Sequence, residues 1–212
     1  YFESLNNTII IDTTTPLINY SSGTLVNGSV RSTDEIFVNV SVIEINEANI
    51  TFSLFNESGI VNENVFFDNR RSVTWTLLPE AVYYYNVTII DKANLINSTN
   101  TLTLILDKTL PVINYGSNTA DDFSNLSQNW VFVNVSFSES NEANITFELF
   151  LDNMNLYEDS YDYPKRFRNW TNLADGTYMY NVTVTDYANN KNSTETRTIT
   201  LDSTTPHATL LT

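Results

Sequence analysis

The feature that most constrains the fold of this chain is an internal repeat, in which the sequence aligns with itself at a shift of 95 residues (141 − 46). The string "NEANITF" begins at Asn46 and again at Asn141, and "YNVT" begins at Tyr85 and again at Tyr180. The two copies align without gaps. Self-similarity at a fixed period is typical of tandem arrays, in which each copy forms the same structural unit.

The repeat predicts four segments along the chain. Residues 12–106 and 107–201 are two complete repeats, residues 1–11 match the last strand of a repeat, and residues 202–212 match the first strand of one. We interpret the chain as an excerpt of a longer array. The alternative is a filament subunit that lends its end strands to neighbours, but a lone last strand and a lone first strand cannot complete each other into a domain.

Within each repeat, apolar and polar residues alternate over runs of five to eight residues. In "FVNVSV" the valines Val38, Val40 and Val42 point one way, and Asn39 and Ser41 point the other. This period of two is typical of half-buried strands, and no segment has a convincing helical period. Glycine and proline are sparse, so we expect the turns to depend on Asn and Asp. The sequence therefore predicts an all-β chain of two-sheet sandwiches.

A tyrosine near the start of a long strand sharpens this prediction. "LADGTYMY" begins at Leu173 and places Tyr178 five residues later, and Leu78 and Tyr83 have the same spacing. The pattern resembles the tyrosine corner of immunoglobulin-like domains. The frame "DTTTP…LxxxxYxYNVTxxDxANxxNST" resembles the tandem immunoglobulin-like repeats of prokaryotic, particularly archaeal, cell-surface proteins. The resemblance covers the whole chain and implies two tandem immunoglobulin-like β-sandwich domains.

Composition excludes several classes of function. The formal net charge of −15 disfavours binding to the phosphate backbone of nucleic acids. With no cysteine, disulfides and thiolate metal sites are excluded. The only histidine is His207, so a zinc triad or a Ser-His-Asp relay within one chain is disfavoured. No apolar run is long enough for a membrane span in this segment.

Asn-X-Ser/Thr, the acceptor pattern for N-linked glycans, occurs more often than chance predicts. The pattern begins at Asn6, Asn19, Asn27, Asn39, Asn49, Asn56, Asn86, Asn97, Asn125, Asn134, Asn144, Asn169, Asn181 and Asn192. Alternation places these asparagines on the outward face of strands, so we predict dense N-glycosylation. The alternative is that Asn-Val-Thr merely suits a half-buried strand. Only Asn49 and Asn144 have, two residues earlier, the acidic residue that bacterial transferases usually need, which favours an archaeal or a eukaryotic system. The lack of cysteine disfavours a eukaryotic secreted domain, so an archaeal cell surface is the preferred source.

Acidic residues recur in segments expected at one end of each sandwich. In the second repeat these are Asp107, Glu139, Glu142 and Asp186, which are candidates for a calcium site. The preferred interpretation is that no metal binds and that Asp186 caps its own turn, because Asp and Asn commonly stabilise turns. No other cofactor is predicted.

The repeats differ most at residues 23–36 against 118–131, and at residues 56–74 against 151–169. The second copy is rich in aromatic and cationic side chains, which are common anchors at interfaces. The candidate contact residues are Tyr157, Tyr161, Tyr163, Arg166 and Arg168. The predicted partners are other copies of the chain or neighbouring repeats. The alternative is an edge hairpin that packs on itself.

No catalytic motif accompanies these features. The chain has no phosphate-binding glycine loop, no His-Glu-x-x-His and no nucleophile elbow, so we predict no enzymatic activity. The sequence favours a non-catalytic extracellular structural protein, a glycosylated array in a surface layer, stalk or filament. One alternative is an adhesin that presents a carbohydrate- or protein-binding face. The other is a set of accessory domains in a larger surface enzyme.

Overall fold

The computed structural model describes residues 11–162 and 164–206. All regular secondary structure in that part of the chain is β-strand. The strands are β1 (Leu17–Tyr20), β2 (Ser29–Arg31), β3 (Ile36–Ile43), β4 (Glu47–Asn56), β5 (Gly59–Phe66), β6 (Ser72–Trp75), β7 (Ala81–Asp91), β8 (Ile96–Ser98), β9 (Leu102–Leu106), β10 (Val112–Tyr115), β11 (Ser124–Leu126), β12 (Trp130–Ser138), β13 (Glu142–Leu151), β14 (Met154–Tyr161), β15 (Phe167–Thr171), β16 (Gly176–Asp186), β17 (Lys191–Ser193) and β18 (Arg197–Leu201). None of the described residues belongs to a helix that could cross a membrane. The strand predicted over 1–11 lies outside the described residues except for Ile11, as does His207.

The chain divides into two compact units after Asp107. In the first, β1, β3 and β6 form a three-stranded sheet, and the order of the larger sheet is β2-β9-β7-β4-β5, with β8 also on β7. The second unit repeats both orders, with β10-β12-β15 in one sheet and β11-β18-β16-β13-β14 plus β17 in the other. The all-β prediction of two tandem immunoglobulin-like sandwiches is confirmed, and the described residues of each unit form nine strands.

Among the described residues, all strand pairs in each unit are antiparallel except one. The short strand β2 runs parallel to β9, with Val30 opposite Ile105, and β11 runs parallel to β18 in the same register. The first strand, β1, pairs instead with β3 in the smaller sheet. The chain therefore crosses from one sheet to the other between its first two strands.

The core of each unit lies between its two sheets. Val38 and Val40 contribute from the smaller sheet, and Ile50, Phe52 and Leu54 contribute from the larger one, all at most 3% exposed. These are the alternate positions of β3 and β4, because successive side chains of a strand point to opposite faces. The prediction that Ile50, Phe52, Ile145 and Phe147 are core residues is confirmed, since all four are 0% exposed.

A tyrosine corner is present in both units. The Tyr83 hydroxyl donates to the carbonyl of Pro79 at 3.0 Å, and the Tyr178 hydroxyl donates to the carbonyl of Ala174 at 3.0 Å. Both rings are buried. The predicted corner is thus confirmed, and it forms although the first repeat has Ala81 in place of Gly176.

Asparagine supplies most of the tight turns. The residues with positive φ other than glycine include Asn69, Asn94, Asn118, Asn153, Asn172 and Asn189, with φ between 58° and 67°. Asparagine tolerates this left-handed region better than most side chains. The expectation that turns depend on Asn and Asp in a glycine-poor chain is confirmed.

Candidate functional site

Three carboxylates of the first unit meet at one end of its sandwich. Asp12 precedes β1, Glu44 follows β3, and Asp91 is the last residue of β7. Each offers one carboxylate oxygen, and these oxygens all lie within 4.8 Å of one another. The fold therefore brings together acidic residues that are up to 79 positions apart in the chain (91 − 12).

Asn46 holds two of these carboxylates in place. Its side-chain amide donates to Asp12 Oδ2 at 3.0 Å, and its backbone N–H donates to Glu44 Oε1 at 2.6 Å. The backbone N–H of Thr14 donates to Asp12 Oδ1 at 3.0 Å. The hydrogen bond from Asn46, followed by that from Thr14, lowers the pKa of Asp12 below its ordinary value. Asp12 is therefore held in its ionised form.

Asp91 is the buried member of the group, at 0% exposure. Its Oδ1 accepts hydrogen bonds from the backbone N–H groups of Ala93 and Leu95, both at 2.8 Å. Its Oδ2 is buried as well and has no hydrogen-bond partner among the described residues. Buried polar atoms are rarely left without a partner, so this oxygen is a chemically unusual group in the fold.

In the second unit the corresponding aspartate is satisfied. Asp186 accepts from the backbone N–H of Asn190 at 2.8 Å through Oδ1, and from the Asn190 side-chain amide at 2.7 Å through Oδ2. Asp186 thus caps its own turn, as predicted, and a carboxylate oxygen of Glu139 lies within 4.8 Å of one of its own. Asp107 is the last residue of the first unit.

Glu142, the remaining calcium candidate, is engaged elsewhere. Its carboxylate forms an ion pair with Arg166 at 3.2 Å, just as Glu47 pairs with Arg71 at 2.6 Å in the first unit. The sequence offered Glu142 as a calcium candidate, but its carboxylate is instead held by the guanidinium of Arg166. Sequence reasoning could have found this pairing, since Arg71 and Arg166 align in the two repeats.

The asparagines of the glycan acceptor pattern fall into two groups. Four are exposed, and none of these belongs to an aligned pair: Asn19, Asn27, Asn125 and Asn169. Nine are half-buried: Asn39, Asn49, Asn56, Asn86, Asn97, Asn134, Asn144, Asn181 and Asn192. Asn6 lies outside the described residues. The aligned acceptor sites are therefore the less accessible ones.

Many half-buried amides bond the backbone of another segment. The side-chain amide of Asn97 donates to the carbonyl of Pro16 at 2.8 Å, and that of Asn192 donates to the carbonyl of Pro111 at 2.8 Å. Asn39 donates in the same way to the carbonyl of Ser22 at 3.0 Å. A glycan is attached through this same nitrogen, so these amides already have a structural use.

Asn49 and Asn144 were expected to face water, and both are instead half-buried. Each lies on the larger sheet of its unit, next to a break in the strand register. Asn49 pairs with Ile90 just after a bulge that begins at Glu47, and Asn144 pairs with Thr185 after the matching bulge. A bulge turns the strand locally and changes the direction of its side chains.

The aromatic and cationic segment of the second repeat packs largely on its own unit. The Arg166 guanidinium lies 3.6 Å from the ring centroid of Phe137, and Arg168 Nε donates to Asp159 Oδ2 at 2.8 Å. Tyr161 is half-buried against the core. Tyr157 is exposed, and Tyr163 lies outside the described residues. Of the predicted contact residues that are described, Tyr157 alone is both exposed and on an edge strand, β14.

No protein-family model matches the chain, and no curated protein matches its sequence. Similar solved structures include the fibronectin(III)-like modules of CbhA from Clostridium thermocellum, with a TM-score of 0.46 and 9% identity over 92% of this chain and 100% of that one. Another is the chicken CNTN1 FN1-FN3 domains, with a TM-score of 0.43 and 10% identity over 82% of this chain and 65% of that one. A third is dimeric latent PorU from Porphyromonas gingivalis, with a TM-score of 0.34 and 11% identity over 92% of this chain and 21% of that one. Similarities this low leave the function to be inferred from the residues of the chain itself.

Proposed function

We propose that this chain is a non-catalytic, extracellular structural protein, part of an array of glycosylated sandwiches in a surface layer, stalk or filament. The observation that supports this proposal is what the two repeats share. Equivalent residues fill the same core positions in both repeats, and Tyr83 and Tyr178 form the same corner. The indole N–H groups of Trp75 and Trp170 also donate the same hydrogen bond in each repeat, to a side chain of the neighbouring edge strand. All of these shared residues serve to hold the sandwich together, as expected when each repeat acts as a spacer.

The cell-surface assignment rests on the glycan acceptor pattern and on the resemblance of the repeat frame to archaeal surface proteins. We expect glycans first at Asn19, Asn27, Asn125 and Asn169, because these asparagines are exposed and a glycan can reach the amide nitrogen there. The test is peptide mass spectrometry of the chain purified from its native cell. If none of these four asparagines carries a sugar there, the glycosylated-surface proposal fails.

A structural array also needs contacts between copies or neighbouring repeats. Strand β14 is at the edge of its sheet, and it exposes Met154 (71%), Leu156 (42%) and Tyr157 (42%). Exposed edge strands offer unpaired backbone groups to another chain. We therefore propose the β14 edge as the contact surface. The same exposed row favours the second candidate function, an adhesin that presents this edge to a foreign partner.

Replacing Tyr157 by glutamate distinguishes the two functions. The matched control is Tyr187→Glu, because Tyr187 is exposed (62%) in a turn rather than on β14. Loss of self-association in sedimentation by Y157E alone supports the array. Loss of binding to foreign cells with self-association intact supports the adhesin. If Y157E behaves like Y187E in both assays, the β14 edge is not the contact surface.

A further inference from the structure

We propose that the acidic cluster of the first repeat, formed by Asp12, Glu44 and Asp91, binds one divalent cation, and that calcium is the ion that best fits it. This inference is independent of the structural role proposed above. It starts from Asp91, whose Oδ2 is buried without a hydrogen-bond partner among the described residues. An acidic cluster alone would be ordinary, but a buried oxygen without a partner on one of its carboxylates points to a missing positive charge.

The distances suit an oxygen-liganded cation. The three carboxylate oxygens lie within 4.8 Å of one another, a spacing that small side-chain shifts would bring within about 2.3–2.6 Å of one calcium ion. One calcium ion can therefore contact all three. Magnesium, at about 2.1 Å from its ligands and with strict octahedral geometry, would require the loops to move closer together.

The surroundings leave room for the remaining ligands. A cavity of about 140 Å³ is lined by Asp12, Asn46, Lys92 and Ala93. This volume accommodates several water molecules, which commonly complete the coordination of calcium. Lys92 also lines this cavity, and its exposed ammonium group is the alternative to a divalent cation as the positive charge near the cluster.

The second repeat shows how the same aspartate is satisfied without an ion. Leu95 and Asn190 occupy equivalent positions (190 − 95 = 95). The Asn190 amide donates to Asp186 Oδ2 at 2.7 Å, whereas the Leu95 side chain has no donor for Asp91 Oδ2. The difference between Leu95 and Asn190 thus leaves Asp91 Oδ2 without the hydrogen bond that Asp186 Oδ2 receives. We infer that the cation is specific to the first repeat.

The experiment uses the full chain, freed of metal with a chelator and titrated with calcium chloride in a calorimeter. We expect one equivalent of calcium per chain, bound in the millimolar range or tighter, as in other extracellular modules. We also expect calcium at about 1 mM to raise the melting temperature of the first repeat by a few degrees, because it binds only the folded state.

The key variant is Leu95→Asn, with Leu95→Ala as its matched control. L95N gives Asp91 the amide that Asn190 gives Asp186, so calcium should bind at least tenfold more weakly. L95A introduces no donor and should retain the wild-type affinity. Asp91→Asn removes the charge and should also abolish binding. L95N keeps the proposal testable if D91N fails to fold.

Several results would overturn the proposal. Absence of calcium binding in the wild type would refute the site. Equal affinities in L95N and L95A would refute the role of Asp91 Oδ2. Equal affinity for magnesium would refute the assignment to calcium. A second equivalent that survives L95N would refute the distinction between the repeats.

Discussion

At the residue scale, buried tyrosine hydroxyls connect strands to distant backbone. Tyr85 donates to the carbonyl of Leu25 at 3.3 Å, and Tyr180 donates to the carbonyl of Ala120 at 2.6 Å. Tyr20 bonds the carbonyls of Tyr85 and Asn100 at 3.2 Å and 2.8 Å. Each ring fills core volume, and each hydroxyl donates to the backbone carbonyl of a distant segment. The tyrosines therefore contribute both apolar burial and specific positioning.

Removing the corner hydroxyl should destabilise its own repeat. Tyr83→Phe deletes the bond to the Pro79 carbonyl and leaves that acceptor without its donor. We expect a loss of about 1–2 kcal/mol in the free energy of unfolding, measured by urea denaturation. The matched control is Tyr84→Phe, on the same strand but half-buried, which should cost less than about 0.5 kcal/mol. Equal effects of the two variants would contradict the role of the corner.

Alkaline pH should destabilise both repeats before it disrupts any ion pair. Burial raises the pKa of Tyr85 to about 12, with a smaller contribution from Tyr20, and burial raises the pKa of Tyr180 to about 12. In the unfolded chain these hydroxyls titrate near 10. Above about pH 10 the unfolded state therefore binds fewer protons than the folded state, and stability falls as pH rises.

This pH dependence is measurable as the urea midpoint between about pH 9 and about pH 12, with tyrosinate absorbance recorded in parallel. We expect full stability below about pH 10 and a progressive loss as pH rises toward 12, where the folded tyrosines titrate. Normal titration of all tyrosines near pH 10 with an unchanged urea midpoint would contradict the prediction.

At the scale of elements, the long strands were predictable and the short ones were not. In β3, β4 and β7 the buried residues fall mostly at alternate positions, because one face packs on the core and the other does not. β2 and β8 have only three residues each, too few for a period to emerge. The parallel pairing of β2 with β9 depends on the chain crossing between sheets, which no local pattern records.

The same limit applies to the candidate site. The sequence alone identified acidic residues at the expected loops, including Asp186, and predicted that it caps its turn. It could not show that Asp91 Oδ2 is buried without a partner, because that depends on the packing of three loops. The difference between Leu95 and Asn190 is visible in the alignment of the repeats. Only the structure shows that the Asn190 amide bonds Asp186 Oδ2 and that Asp91 Oδ2 has no such donor.

The hydrogen bond from Asn97 fastens β8 to the segment that leads into β1, and thus one sheet to the other. Asn97→Ala removes this bond and also the cap on the Ser98 N–H. For N97A produced in a host without N-glycosylation, we expect a loss of about 1–2 kcal/mol in the free energy of unfolding. The control is Asn19→Ala, at an exposed acceptor site, which should be nearly neutral. Equal stability of N97A and N19A would show that this tether contributes nothing.

At the scale of the whole molecule, each unit has a complete core of its own. Residues of one core cluster do not appear in the other, so each unit has what it needs for cooperative unfolding. In such a chain, a core substitution in one repeat should affect that repeat alone.

Calorimetry of the chain with Tyr83→Phe or Tyr178→Phe tests this independence. Each variant should lower one thermal transition and leave a second at its wild-type temperature, and the two variants should affect different transitions. A single transition that shifts as a whole in both variants would show that the repeats unfold as one unit.

The parallel pairing of β2 with β9 has a mechanical consequence. The pair is extended by bonds from Gly28 to the Thr103 carbonyl and from Asp107 to the Arg31 carbonyl, both at 2.8 Å. A chain pulled at its two ends drags β2 and β9 in opposite directions along their common axis. The hydrogen bonds between them are then loaded in shear and share the tension, rather than breaking one after another as in a zipper. Each repeat thus contains its own clamp against stretching.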